Sequence, residues 1–362
     1  MDRKYKIGLL WHEGSGENAQ TRYFPFPLFK RKAEIYSLTG QWGPAEAIYR
    51  KCLVWGDANS DQRISAQARD GLATILTKRG QYEEALELRE RSLAIIKEIG
   101  DWSLLAGILS NLGTVYWSKG QFEKAMEFYR MSLPAAEEAA DPNLIFRALN
   151  NIGVVLWNWG RYPEAEEIYL IQMGRSNTNN SLWQVGACAG NLGNVYYSQG
   201  FHDRALKFYQ QHWEISEKLG DKQSVAVALG NIGNVYCEYK DYDQALEYYQ
   251  KQLDMAGKLG DIRTAGLAIF NIGTIHQDKG DLATALTYFE KGLEIDNQLG
   301  DKAGLQADLT NIAEVLLKMQ DFERAEKYAL RSLEISRQIG DLKAERKSLE
   351  IMTEIRARRN DL

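Results

Sequence analysis

The sequence predicts an all-α solenoid of about eight helical hairpins, closed by a C-terminal capping helix. Three observations lead there. Four residue registers recur with a period of 40. Each period carries two apolar stripes at helical spacing. Between the stripes stand glycine and aspartate, residues that stop and start helices.

The period is read directly from the chain. Gly40, Gly80, Gly120, Gly160, Gly200 and Gly280 fall at multiples of 40. A second register runs Ala45, Ala85, Ala125, Ala165, Ala205, Ala245, Ala285 and Ala325. Asp61, Asp101, Asp141, Asp221, Asp261, Asp301 and Asp341 make a third, and Asn111, Asn151, Asn191, Asn231, Asn271 and Asn311 a fourth. Chance does not keep four registers in phase over so long a stretch. The chain then divides into a leader (1–25), eight 40-residue units (26–345) and a capping helix with its tail (346–362).

Each element of a unit has its own signal. In residues 226–265, Leu229, Ile232, Gly233 and Tyr236 form the stripe of a first helix, and Ala245, Tyr249 and Leu253 that of a second. Asp241 and Asp243 supply N-cap chemistry between them. At Leu259-Gly260-Asp261 the glycine suits a left-handed helix end and the aspartate caps the next helix. Eleven glycines close such turns. Gly113, Gly153, Gly193, Gly233 and Gly273 instead lie inside first helices, where glycine costs about 1 kcal/mol against alanine. Their register predicts a neighbour too close for a Cβ, expected to be the small alanine of the partner helix, such as Ala125 or Ala245. Residues 344–359 read as one more amphipathic helix, with Leu349, Ile351, Met352 and Ile355 expected to cover the open end of the last repeat.

Composition bounds the function. The chain has 362 residues, 44% hydrophobic and 26% charged, with a formal net charge of −5. That is the composition of a folded chain, with too little charge for a bulk grip on nucleic acid. No run of about 18 apolar residues is present to cross a membrane, and MDRKYKIGLLWHEGSG has too short an apolar core for a secretory signal. Cys52, Cys188 and Cys237 are odd in number and far apart. They point to a reducing cytoplasm rather than a disulfide framework or zinc site. No phosphate-binding, zinc-protease or nucleophile-elbow motif occurs, so the expectation is a non-enzyme without cofactor or metal.

Leu112-Gly113, Tyr116, Ala125 and Tyr129 resemble the signature of the tetratricopeptide repeat. The usual unit has about 34 residues; this one resembles the 40-residue variety of the Leu-Gly-Asn repeat proteins, and kinesin light chains carry related long repeats. The tripeptide itself stands at Leu192-Gly193-Asn194 and Leu229-Gly230-Asn231. In such proteins first helices line the concave face of a right-handed superhelix, and peptides lie along it in extended form. The resemblance therefore implies a protein or peptide ligand there, and the charge and the lack of a long apolar run lead to the expectation of no nucleic acid and no membrane. It places in the groove Asn111, Asn150, Asn151, Asn191, Asn194, Asn231, Asn234, Asn271 and Asn311, with Arg147 near the middle and Glu238 and Asp278 toward one end. Gly190 and Gly230 are expected to leave room for the ligand's backbone.

Two readings of the asparagine row stand side by side: a ladder for a peptide backbone, since asparagine both donates and accepts, or bonds that stack one repeat on the next. Trp117, Trp157 and Tyr197 form an aromatic row that reads either as anchors for apolar side chains or as inter-repeat core. Departures from the period are local. GRSNTNNS at 174–181 replaces the regular link, so the second helix there is expected to end early in a polar loop. Lys240 and Gln320 replace turn glycines. The leading function is an interaction scaffold that holds an extended peptide or partner. The alternative is the sensor module of a larger signalling protein; the leader reads either as the trace of an upstream domain or as an extension packing on the first repeat.

Overall fold

Aspartate begins most of the first helices and a left-handed residue ends nearly every helix. The structure, a computed structural model, describes residues 25–38 and 40–360. Among the described residues there are 17 α-helices and no strand. They are α1 (Phe26–Leu38), α2 (Trp42–Ala58), α3 (Gln62–Lys78), α4 (Tyr82–Ile99), α5 (Trp102–Ser118) and α6 (Phe122–Glu138). Then follow α7 (Pro142–Asn158), α8 (Tyr162–Thr178), α9 (Leu182–Ser198), α10 (His202–Leu219), α11 (Lys222–Glu238) and α12 (Tyr242–Leu259). The last are α13 (Ile262–Asp278), α14 (Leu282–Leu299), α15 (Lys302–Lys318), α16 (Phe322–Ile339) and α17 (Leu342–Asn360). This is an all-α solenoid of paired helices. The leader lies outside the described residues up to position 24.

The caps follow the aspartate register. Asp61, Asp101, Asp141, Asp221, Asp261 and Asp301 each accept a hydrogen bond from a backbone N–H in the first turn of the following helix, which satisfies a donor the helix leaves open. Every link carries one residue of positive φ. Glycine takes eleven of these places, and Ser60, Ala140, Asn180, Lys240 and Gln320 take the rest. The backbone pattern therefore outlasts the glycine that usually serves it, at about 1–2 kcal/mol per non-glycine residue. The expected early break at 174–181 is not found. Helix α8 runs to Thr178, a full 17 residues, and Asn180 at φ 51 stands in for the glycine, since asparagine tolerates this region better than most residues.

The mid-helix glycines do have a crowded neighbour, but it is an aromatic ring and not the expected alanine. A Cβ on Gly113 would lie 2.5 Å from the Tyr129 ring, on Gly153 2.6 Å from Tyr169, on Gly233 2.7 Å from Tyr249, and on Gly273 2.9 Å from Phe289; Gly193 faces Tyr209 in the same way. These rings are almost wholly buried. Where the second helix has no ring at this register, at Arg89 and Ala329, the first helix carries alanine, at Ala73 and Ala313.

The chain forms two compact units, Met1–Ala139 and Ala140–Leu362. In the first, Leu76, Ile96, Ile108, Leu112 and Val115 form a core between α3, α4 and α5. In the second, Ile312, Leu316 and Phe289 join Ile351, Met352 and Ile355 of α17, which packs on α15 and α16. Leu349, expected on that buried stripe, is exposed. The boundary falls beside Pro134, which sits inside α6, and Ala139-Ala140, which replaces the usual Leu-Gly.

One core position breaks the apolar rule. Asp308 of α15 is 1% exposed, and neither carboxylate oxygen has a partner among the described residues. It fills the space left by Gly292, whose added Cβ would lie 2.7 Å from Asp308 Oδ2. Burial, and then the charge of Asp296, push its pKa up to about 8. The unfolded carboxyl titrates near 4, so from there up to pH 8 the folded chain holds a proton that the unfolded chain has lost. Stability attributable to this group is full below pH 4 and falls as pH rises to 8. Asp308→Asn is expected to melt higher than the parent by a margin that grows from pH 5 to pH 8 and then levels off. Thermal melts across that range check it; a constant margin contradicts it.

Candidate functional site

The first helices of the second unit, α7, α9, α11, α13 and α15, present one residue register after another along a common face. The asparagines at its centre are all half-buried, and they divide into two groups for a visible reason. Asn191 Nδ2 donates to Asn150 Oδ1 at 2.7 Å, one first helix earlier. In the first unit Asn111 Nδ2 donates likewise to Asp70 Oδ2 at 2.9 Å. For Asn231, Asn271 and Asn311 the residue at the accepting place is Gly190, Gly230 or Phe270, none with a polar side chain. No side-chain hydrogen bond is found for Asn151, Asn231, Asn271 or Asn311 among the described residues. Stacking therefore uses part of the row, and four amides keep both donor and acceptor capacity.

Asn194 and Asn234 serve the buried tyrosines. Tyr209 OH donates to Asn194 Oδ1 at 2.8 Å, and Tyr249 OH to Asn234 Oδ1 at 2.6 Å. Burial holds both phenols well above their ordinary range, so each hydroxyl remains a donor. Each amide oxygen thus already holds a phenol, and both hydrogens of each amide nitrogen are left for other contacts.

The expected open space at Gly190 and Gly230 is occupied by the chain itself. A Cβ on Gly190 would lie 3.0 Å from His212 Nδ1, and one on Gly230 would run into the Gln252 amide. Six of the second helices carry a polar residue at this register, Ser92, Ser132, Gln172, His212, Gln252 and Ser332, while Cys52 and Gly292 stand there in α2 and α14. Ser92 Oγ and Gln172 Nε2 donate to backbone carbonyls of their own first helices, at Ala66 and Phe146. Burial lowers the pKa of His212, with the charge of Asp221 opposing, so the ring is neutral near pH 7. The sequence signal for this filling is the pairing of each of these two glycines with a bulky polar residue 22 positions later, Gly190 with His212 and Gly230 with Gln252.

The aromatic row is half-buried, and its polar tips bind the next first helix. Trp157 Nε1 donates to Ser198 Oγ at 2.9 Å, and Tyr197 OH to Glu238 Oε1 at 2.9 Å. Trp117, in the first unit, packs against Phe122 with ring centroids 4.7 Å apart. Arg147 is exposed on α7, and Glu238 and Asp278 are exposed at the ends of α11 and α13. Glu314 is tied to Lys347 at 2.6 Å. The thiols of Cys52 and Cys188 are pushed up by burial to about 11 and about 12, which keeps both protonated and unreactive at neutral pH. Among the described residues no group of three His, Cys, Asp or Glu could hold a metal ion, and no helix is long and apolar enough to cross a membrane.

Paired helices in a strict register, with a polar face on the first of each pair, define a helical-hairpin repeat protein. The tetratricopeptide repeat model matches residues 64–138, 185–258 and 264–338. The chain belongs to the tetratricopeptide repeat family. No curated protein matches it by sequence. Among solved structures it is similar to the apo form of the quorum sensor NprR from B. thuringiensis, at 15% identity over 86% of this chain and 87% of that one, with a TM-score of 0.66. It is similar also to a STAND protein with a tetratricopeptide repeat sensor from Pyrococcus horikoshii, at 16% identity over 89% of this chain and 50% of that one, TM-score 0.64. A Rap protein complexed with Competence and Sporulation Factor aligns at 14% identity over 92% of this chain and 98% of that one, TM-score 0.59. At these identities the likeness is one of fold.

The two asparagine groups make opposite predictions. Asn234→Ala strips the acceptor from a buried hydroxyl and is expected to cost about 1–3 kcal/mol. Asn231→Ala and Asn271→Ala are expected to leave stability within about 0.5 kcal/mol. Denaturant titration of the three variants checks the difference.

Proposed function

We propose that the chain is a non-catalytic interaction scaffold that holds an extended peptide or partner segment on the face of its first helices. The observation that carries this reading is the run of half-buried, unpartnered amides at Asn231, Asn271 and Asn311. A half-buried amide without a protein partner gives up part of its hydration and gains no bond in exchange. A peptide backbone, with one donor and one acceptor per residue, supplies both missing bonds. Asn151 extends the run at α7. The amide nitrogens of Asn194 and Asn234, with the bonded pair Asn150 and Asn191, form the polar surroundings in this reading, and Asn111 belongs to the corresponding face of the first unit taken by itself. Within the second unit Trp157 and Tyr197 offer half-buried ring faces to apolar side chains, and in the first unit Trp117 offers one on its own face.

Charge sets a direction. Glu238 and Asp278 stand exposed toward one end and Arg147 toward the other. A ligand with basic residues over the acidic pair and an acidic group near Arg147 is complementary. The Rap protein complexed with a signalling factor supports the peptide reading by likeness of fold. The sensor repeats of the STAND protein support the alternative, a sensing module within a larger signalling protein, on the same ground. Both readings place the ligand on the same face, inside a reducing compartment such as the cytoplasm, and neither needs a cofactor.

A peptide-display selection against the full chain tests the proposal. Selected peptides are expected to lose at least tenfold in affinity to the variant Asn231→Ala/Asn271→Ala/Asn311→Ala, whose melting temperature stays near that of the parent. Charge reversal at Glu238 and Asp278 is expected to weaken binding most at low salt. Peptides that bind the triple variant unchanged contradict the reading.

A further inference from the structure

Repeat four departs from the others at one packing pair. In the second helices the register of position 175 is apolar in every other repeat: Trp55, Ile95, Ala135, Ile215, Met255, Ile295 and Ile335. In α8 it is Arg175, which is exposed. On the first helices the opposing register is small in most repeats, as with Gly186, which sits against Ile215, and Gly266, which sits against Ile295. In α7 it is Phe146. The two helices thus lack the apolar plug that joins the other pairs.

A cavity of about 210 Å³ opens there, within the second unit, between α7, α8 and the start of α9. Ile145, Phe146 and Leu149 give it an apolar wall, and Arg175 stands at its edge. Arg175 has no ion pair among the described residues. Gln172 also lines the cavity; it is 2% exposed, its Nε2 is spent on the Phe146 carbonyl at 2.8 Å, and its Oε1 has no partner. Its polar neighbours are satisfied among themselves. Ser176 Oγ donates to Gln184 Oε1 at 3.1 Å, and Gln184 Nε2 to Asn143 Oδ1 at 3.2 Å.

We infer that this cavity is a binding site for an apolar α-amino carboxylate, either a free amino acid of about leucine size or the C-terminal residue of a peptide. The carboxylate pairs with Arg175, an N–H donates to Gln172 Oε1, and the aliphatic chain lies against Ile145, Phe146 and Leu149. The volume corresponds to about seven waters, which matches a ligand of that size. The site is separate from the asparagine face and does not depend on that reading.

Calorimetric titration of the full chain with L-leucine, N-acetyl-L-leucine and N-acetyl-L-leucinamide tests it. Saturable binding of free leucine assigns the site to amino acids. Binding of the N-acetyl acid alone assigns it to peptide C-termini. In either case the carboxamide is expected to bind at least tenfold more weakly, and Arg175→Met to lose at least tenfold in affinity. That variant folds on the precedent of Met255 at the same register, which its melting temperature checks. Absence of saturable binding by both acids at millimolar concentration, or Arg175→Met binding like the parent, overturns the assignment.

Discussion

The close approach of five first helices, α5, α7, α9, α11 and α13, to the aromatic ring of their partners is the contact on which the rest of this protein depends. Gly113, Gly153, Gly193, Gly233 and Gly273 meet Tyr129, Tyr169, Tyr209, Tyr249 and Phe289 at distances that leave no room for a Cβ. Glycine is a poor helix residue, at about 1 kcal/mol against alanine. Burying a whole aromatic side chain returns more than that. The contact also sends the phenol across the pair. Two of these hydroxyls come out on the face of the first helices, where Asn194 and Asn234 receive them. The polar face is thus partly a product of the packing beneath it.

The same economy explains which positions are free to act. An asparagine bonds backward only where the preceding first helix offers a polar side chain, as Asp70 and Asn150 do. Where that place is taken by Gly190 or Gly230, the glycine admits His212 or Gln252 from below, and the asparagine above it stays unpartnered. The interior filling and the surface amides are therefore two sides of one substitution.

Much of this was legible in the chain. The 40-residue period predicts the helices and their caps, because each link needs a left-handed residue and each first helix a cap, and only a few residue types provide them. The aromatic neighbour of the glycines was partly legible too, in the way alanine returns at Ala73 and Ala313 beside Arg89 and Ala329, with the first repeat, where Ala33 stands opposite Tyr49, as the exception; reading each register singly hides it. The run at 174–181 misleads because asparagine can hold the turn glycine's conformation, so a change in composition leaves the backbone unaltered. The pairing of individual asparagines depends on side chains one repeat away, which a repeat signature does not contain.

A double-mutant cycle at Gly193 and Tyr209 tests the central contact most directly, with folding free energy as the readout. The account predicts that Gly193→Ala destabilises the parent, because its Cβ displaces the Tyr209 ring. In a Tyr209→Ala background the same change becomes neutral or stabilising, since the helix then gains alanine's propensity without a clash. Equal effects of Gly193→Ala in the two backgrounds would show that the ring does not require the glycine, and would contradict it.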